Sequence, residues 1–302
     1  MVERSAQRQY VNLVANNNRW DGFVHRPGDV FVCTPAKVGT TWTQGIVRSL
    51  INGAAEPVGT IADQTPWIDA RFEPKDVVHE RLAAQAHRRC IKSHTPADGI
   101  PLWADASYIA VYRSGRDSFM SWVNHITNMR FENMGHVFEE AIADGVELGD
   151  GPPSSDLHDI FAAWVADPPQ LEHFDTWWPL RSEPNVRILH YDDLQADLPG
   201  EMRRLAAWLG IEIDEAAWPR MVERCSIDEM RAAHAGNVEI EEHFTGGAAT
   251  FFNKGTNGRW VGVLTDDELA AYDDMITARL DDDERAWFEA GSLATGHRPE
   301  DF

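Results

Sequence analysis

Lys37, Gly39, Thr40 and Thr41 stand close together between an apolar run that ends at Cys33 and a helical pattern that begins at Trp42. These residue types bind an oxyanion. A glycine lets the backbone curl close to the charge, and the free N–H groups and dipole of a new helix attract it. The threonines add hydroxyl donors and the lysine adds a full charge. An ATP-binding P-loop has the order G-x-x-x-x-G-K-[ST]. Here the lysine precedes the glycine, and no glycine opens the loop. An ordinary strand-to-helix turn capped by threonine would use the same residues, so the rest of the chain must decide.

Two further clusters answer to the same chemistry. Lys92 and His94 stand at the end of the apolar run Cys90-Ile91-Lys92-Ser93, where open α/β sheets place ligand-binding groups. A lone histidine is more often a hydrogen-bonded structural group, but beside Lys92 and downstream of the anion loop His94 is the leading base candidate. Arg113 ends the strand-like run Tyr108–Tyr112, and a helix from about Ser118 brings Ser121 back beside it. A guanidinium and a hydroxyl that converge suit a phosphate dianion. Pairing of Arg113 with Asp117 is the structural alternative.

These stretches resemble the sulfotransferases that use 3′-phosphoadenosine 5′-phosphosulfate (PAPS) and release the bisphosphate PAP. Lys37-Val38-Gly39-Thr40-Thr41-Trp42 is similar to the family's P-K-S-G-T-T-W, and Lys92-Ser93-His94-Thr95-Pro96 to its K-T-H-x-P. Arg113, Asp117 and Ser121 fit R-x-x-x-D-x-x-x-S, and Tyr191-Asp192-Asp193-Leu194 resembles Y-E-D-L. Ser226 and Met230 occupy the place of T-S-F-x-x-M. Phe252-Asn253-Lys254-Gly255-Thr256-Asn257-Gly258-Arg259-Trp260 resembles the loop R-K-G-x-x-G-x-W. The likeness runs from about Asp29 to Leu264.

The resemblance implies a single α/β domain over 1–302 with a central, mainly parallel sheet flanked by helices, like that of P-loop nucleotide kinases. Its cofactor core is expected at about 29–264. It also implies the roles. Lys37 meets the sulfonate and 5′-phosphate, and Gly39, Thr40 and Thr41 hold the 5′-phosphate. Trp42, Tyr191, Ser226 and Phe252 border the nucleotide, while Arg113, Ser121, Lys254 and Gly255 take the 3′-phosphate. His94 removes the acceptor's proton, Lys92 adds charge stabilisation, and no metal is required. The chain departs from the family at Ala36 and Val38, which replace proline and serine, and at Asn253, which replaces arginine. Val261, Asp266 and Ala270 replace the lysine, valine and glutamate of a dimer motif found in many animal members, which leaves the oligomeric state open.

The elements that must position these groups follow from local pattern. Strands are expected at Asp29–Cys33, Cys90–Ser93, Tyr108–Tyr112 and Val186–His190, each short and apolar. Helices are expected at Gln7–Asn16, Trp42–Ile51, Val77–Arg89, within Phe131–Ala143 and the aromatic-rich Leu157–Trp178, at Met202–Gly210, and twice within Asp266–Ala290. Segments 52–88 and 130–158 are candidate acceptor walls or lids, with 144–156 read as a flexible loop. Trp67, Phe72, Trp122, Phe131 and Phe138 fit a lipophilic pocket and fit core packing equally well.

The 302 residues carry 49 acidic against 27 basic side chains, a formal net charge of −22. That balance argues against nucleic acid and anionic membrane as partners, since both need a basic face. Mean hydropathy is −0.40, no apolar run approaches the ~20 residues of a membrane span, and the polar N-terminus has no signal-peptide core. A cytoplasmic protein with a small hydroxyl-bearing acceptor is expected. Cys33, Cys90 and Cys225 show no paired spacing and read as buried thiols. Two other functions compete. A nucleotide or small-molecule kinase requires Walker order, and a noncatalytic PAP sensor requires no base.

Overall fold

A computed structural model describes residues 1–149 and 154–301. Four strands form one wholly parallel sheet: β1 (Val30–Cys33), β2 (Cys90–Ser93), β3 (Ser107–Tyr112) and β4 (Val186–His190), in the order β2-β1-β3-β4. Parallel strands need crossovers, and their two faces are both covered. That is why β1 and most of β3 read as unbroken apolar runs, while the edge strands β2 and β4 interrupt theirs with Lys92 and Arg187. Successive residues still part company by face. Phe31 and Cys33 join Ile91, Tyr108, Ala110 and Tyr112 in one core layer, while Val30 and Val32 join Cys90, Ile109 and Val111 in the other.

Helices fill the crossovers. In chain order they are α1 (Thr40–Asn52), α2 (Ile61–Gln64), α3 (Lys75–Ala84), α4 (Gly115–Asn128), α5 (Gly135–Ala143), α6 (Leu157–Ala166), α7 (Pro169–Trp177), α8 (Tyr191–Ala196) and α9 (Leu198–Trp208). Then come α10 (Trp218–Arg224), α11 (Ile227–Ala233), α12 (Val238–His243), α13 (Gly247–Phe251), α14 (Asp266–Arg279) and α15 (Asp282–Thr295). Helix α1 packs Ile46, Val47 and Leu50 on one face of the sheet with Met202, Leu205 and Met221. The other face carries Phe119, Phe161, Phe174, Trp177, Tyr272 and Trp287. After β1 the chain steps one way to β2 and then returns past β1 to β3. The carboxyl ends of β1 and β3 are therefore a topological switch point, where open α/β sheets hold ligands.

The helix expected at Gln7–Asn16 does not form. The segment runs extended, with bridges Arg4↔Leu102, Val11↔Asn16 and Ala15↔Ala70. Its asparagines are the reason. The Asn12 side chain accepts from the Val14 and Ala15 N–H groups at 3.0 and 2.9 Å, and Asn16 accepts from Asn18 N–H at 2.9 Å. Such local bonds compete with helix formation. The helix expected at Val77–Arg89 begins at Lys75, behind Pro74, and ends at Ala84. Within the 144–156 stretch, Asp144 is tied to Arg71 and Asn16 at 2.6 and 2.7 Å, while 150–153 lie outside the described residues. All three cysteines are free and buried.

Candidate active site

The turn after β1 is built for close approach. Lys37 takes φ +70°, a left-handed conformation unusual for a residue with a side chain, and Gly39 takes φ +102°. A Cβ on Gly39 would stand 2.8 Å from the Tyr191 ring, so this position has room only for glycine. Thr40 opens α1, with its hydroxyl 2.6 Å from that of Thr34. Trp42, in the first turn of α1, donates from Nε1 to the Cys225 carbonyl at 2.8 Å. Its ring meets Tyr191 edge-on at 5.2 Å.

The end of β2 is organised by a buried carboxylate. Residues 66–69 run beside β2, joined by Lys92 N–H to the Pro66 carbonyl at 2.9 Å and Ile68 N–H to the Lys92 carbonyl at 3.0 Å. Asp69 then accepts from the Ser93 hydroxyl, from the Thr95 hydroxyl at 2.6 Å and from Trp67 Nε1. This fixes the backbone on both sides of His94. The His94 Nδ1 lies 2.5 Å from the Thr34 carbonyl. A carbonyl oxygen only accepts, so Nδ1 carries the hydrogen and Nε2 keeps its lone pair. The Trp67 ring stands edge-on to His94 at 4.6 Å and receives the Lys92 ammonium on its face at 3.4 Å.

Arg113 follows β3 directly. Its guanidinium lies 4.1 Å from the Tyr191 ring centre and donates through Nε to Asn257 Oδ1 at 3.0 Å and through Nη2 to the Thr256 carbonyl at 3.3 Å. Asn257 in turn donates to Asp192. Asp117, the alternative partner of Arg113, instead accepts from Gly258 N–H at 2.7 Å. The loop 252–258 is thus pinned at several points. Arg231 donates to the Phe252 and Asn253 carbonyls at 3.0 and 2.8 Å, and Tyr191 OH donates to the Gly255 carbonyl at 3.3 Å.

These segments enclose a cavity of about 950 Å³. Of the residues singled out from sequence, it is lined by Lys37, Gly39, Thr40, Thr41, Trp42, Lys92, His94, Arg113, Ser121, Tyr191, Phe252 and Gly255. Lys254 and Ser226 are not among the lining residues. Lys254 is exposed on the outside of its loop, and Ser226 is the N-cap of α11, accepting from Glu229 N–H at 3.3 Å. Trp67, Phe72 and Trp122 face the cavity; Phe131 and Phe138 do not. Asn253, at the family's arginine position, lines it, and so does Arg259.

Several lining residues were not singled out from the sequence. His125 lies one helical turn beyond Ser121 on α4 and receives Lys37 Nζ on its Nδ1 at 3.1 Å. His173 shares a 2.8 Å hydrogen bond with Tyr112 OH and leaves its Nε2 buried. Tyr10, Asn12 and Leu13 come from the segment misread as helix. The Ser121–His125 spacing marks one face of a helix and could have drawn attention to His125; nothing local marks Asp69 or Asn257.

Charge and burial shape the titration of the site. Burial, then the nearby Lys92, hold the His94 imidazole well below its ordinary value of 6.5. Burial, then Lys37, do the same to His125. Burial, then Arg113, push the Lys37 ammonium down to about 8. The site therefore offers two imidazoles held neutral beside the Lys37, Lys92 and Arg113 cations, a setting suited to an anionic ligand and to proton removal. Among the described residues no group of three or more His, Cys, Asp or Glu could hold a metal ion.

An anion loop at a switch point, with a neutral imidazole across the cavity, is the layout of an α/β group-transfer enzyme. Residues 27–284 match the family described as sulfotransferase domain. A glycolipid sulfotransferase of Mycobacterium bovis (strain BCG) is 33% identical, over 93% of this chain and 94% of that protein. Human sulfotransferase 1C2 is 23% identical, over 89% and 88%. Among solved structures, mouse sulfotransferase SULT7A1 complexed with PAP superposes with a TM-score of 0.68 at 17% identity, covering 96% of this chain and 99% of that one. Retinol dehydratase in complex with androsterone and PAP gives 0.69 at 19% identity, over 89% and 87%. This chain belongs to the sulfotransferase domain family, and it is an enzyme that transfers a sulfuryl group.

Proposed function

We propose that the donor is PAPS and that the acceptor is a hydroxyl on a predominantly lipophilic body. The carrying observation is the convergence of Lys37, Lys92, Arg113 and the free Nε2 of His94 on one cavity. The loop suits the nucleotide: the cradle at Gly39 has no space for a Cβ, and the Lys37 ammonium faces the cavity with a neutral imidazole as neighbour. Lys37, Gly39, Thr40 and Thr41 hold the 5′-phosphosulfate. Arg113, Ser121 and the Gly255 region hold the 3′-phosphate, with Asn257 orienting the guanidinium. Trp42, Tyr191 and Phe252 border the base. Lys254, being exposed, has at most a distant electrostatic part, and Ser226 acts by capping α11.

The donor supplies the sulfuryl group, and the chain's own residues supply position and charge. His94 Nε2 accepts the acceptor hydroxyl's proton as its oxygen attacks in line, while Thr34 holds the ring in the required tautomer. Lys37 and Lys92 stabilise charge that grows on the bridging and peripheral oxygens, as in phosphoryl transfer. The acceptor end is walled by Trp67, Phe72, Trp122, Met134 and Trp164. Those walls, and likeness to a protein named a glycolipid sulfotransferase, support an acceptor with a large apolar portion.

His94→Ala tests this reading. PAP affinity by calorimetry should stay near wild type, while turnover falls by on the order of 10²–10⁴. Retained turnover would remove His94 from the chemistry.

A further inference from the structure

Lys37 is tethered by the protein's own groups. Its backbone sits at φ +70°, and its Nζ reaches 3.1 Å from His125 Nδ1. An ammonium has only hydrogens to give, so Nδ1 is the acceptor and the ring is neutral with its hydrogen on Nε2. A protonated His125 would set two cations 3.1 Å apart and lose the bond. The ring is itself held firmly. Trp122 stacks on it at 6.0 Å and 29°, and Phe244 packs at 4.8 Å. Phe251 offers its face to the same ammonium at 5.6 Å. His125 shares α4 with Ser121, four residues away, and both line the cavity.

We propose that His125 is a positioning residue for sulfuryl transfer: its Nδ1 lone pair holds the Lys37 ammonium inside the cavity, on the side of His94, ready for the sulfonate. A flexible four-carbon side chain in an anion loop would otherwise sample many rotamers, and each binding event would have to order it. A neutral acceptor suits this task better than a carboxylate. It orients the lysine without cancelling the charge that the sulfonate needs. Burial and Arg113 disfavour the charged form of Lys37, and burial, Lys37 and Lys92 disfavour that of His125, whereas a hydrogen bond accepted from the ammonium favours the charged lysine.

This inference rests on the reading of Lys37 as the lysine that meets the donor, and the test separates the two. His125→Asn keeps an acceptor near the Nδ1 position, His125→Leu removes it, and Lys37→Met removes the donor. PAP affinity by calorimetry across pH 6 to 10, kcat and KM are measured for each, and for Leu combined with Lys37→Met. A bond to a buried charge predicts that His125→Leu lowers kcat/KM by on the order of tenfold to a hundredfold. Its alkaline loss of PAP binding should also move to lower pH. His125→Asn should stay near wild type on both readouts. In the Lys37→Met background, the change to Leu should cost almost nothing further. Equal impairment of Asn and Leu, or a full Leu effect without Lys37, overturns the proposal. A wild-type-like His125→Leu beside an impaired Lys37→Met overturns it too, and spares the reading of Lys37. A Lys37→Met enzyme with unchanged PAP affinity and turnover overturns the reading of the site itself.

Discussion

At the scale of single residues, the site is a set of titrating groups whose ordinary values the fold has moved. His94 must be neutral to take a proton, and its pKa is held well below 6.5, first by burial and then by Lys92. Lys37 must be charged, and it loses its proton near 8, first because of burial. The pH profile of kcat/KM, which reports the free enzyme, should therefore hold its activity below pH 6.5 and fall as pH rises through about 8. In kcat the alkaline fall should move to higher pH, because a bound anion favours the ammonium. An acid limb at an unshifted imidazole value would show that His94 is not the group that titrates. Lys37, His94 and Arg113 were legible in the sequence because each ends or follows a strong strand signal. Asp69, Asn257 and His125 were not. Asp69 lies in a stretch of mixed turn signals, and it becomes a buried acceptor for Ser93, Thr95 and Trp67 only when 66–69 lies along β2. Asn257 occupies an unspecified position of the loop pattern, and its meeting with Arg113 bridges chain positions far apart in sequence.

At the scale of elements, the anion loop depends on a backbone that ordinary residues avoid. Gly39 combines φ +102° with a neighbour 2.8 Å from where a Cβ would stand. Gly39→Ala should move the Tyr191 ring, and with it the face that carries Arg113. We expect a loss of about 1–3 kcal/mol in unfolding free energy and a clear loss of PAP affinity. Gly22 is the control, because its φ is +83° but its Cβ would meet nothing within 4 Å. Gly22→Ala should share the backbone strain and leave PAP affinity intact. Equal affinity losses at both glycines would refute the claim that close approach to Tyr191 shapes the loop. The four strands could be read because a parallel sheet covered on both faces demands short, predominantly apolar runs, broken only by Lys92 and Arg187 in the two edge strands. The long helices could be read from their periodicity. The short helices α10 to α13 could not, since each has too few residues to establish a period; α10 is held by the core layer that contains Met202 and Leu205, and α11 to α13 pack around the cavity. The N-terminal segment misled for a different reason. Its spacing is compatible with a helix, but asparagine side chains close turns there instead.

At the scale of the whole molecule, two electrostatic effects oppose each other as pH falls. A net charge of −22 repels itself, and acid relieves that repulsion. Against it stand five imidazoles whose pKa values burial lowers: His79, His94, His125, His173 and His234, with His173 brought down to about 3. The sign follows from linkage. Below pH 6.5 the unfolded chain takes up protons that these folded sites refuse, so stability is highest above that value and declines as pH falls toward the folded values. His94, His125 and His173 each weaken the fold by up to about 1.4 kcal/mol per pH unit in this window, and the less deeply buried His79 and His234 contribute less because solvent screens them. The exposed His158 beside Glu268 shifts the other way, and solvent screening keeps its effect small. Together these groups should outweigh the relief of surface repulsion between pH 7 and 5, where most carboxylates are still ionised. Melting temperature should fall over that interval. Added salt should raise it at pH 7, by screening, without removing the acid slope. A melting temperature that climbs from pH 7 to 5 at both low and high salt would show that self-repulsion governs the acid response and that the imidazoles in and around the cavity take up protons freely.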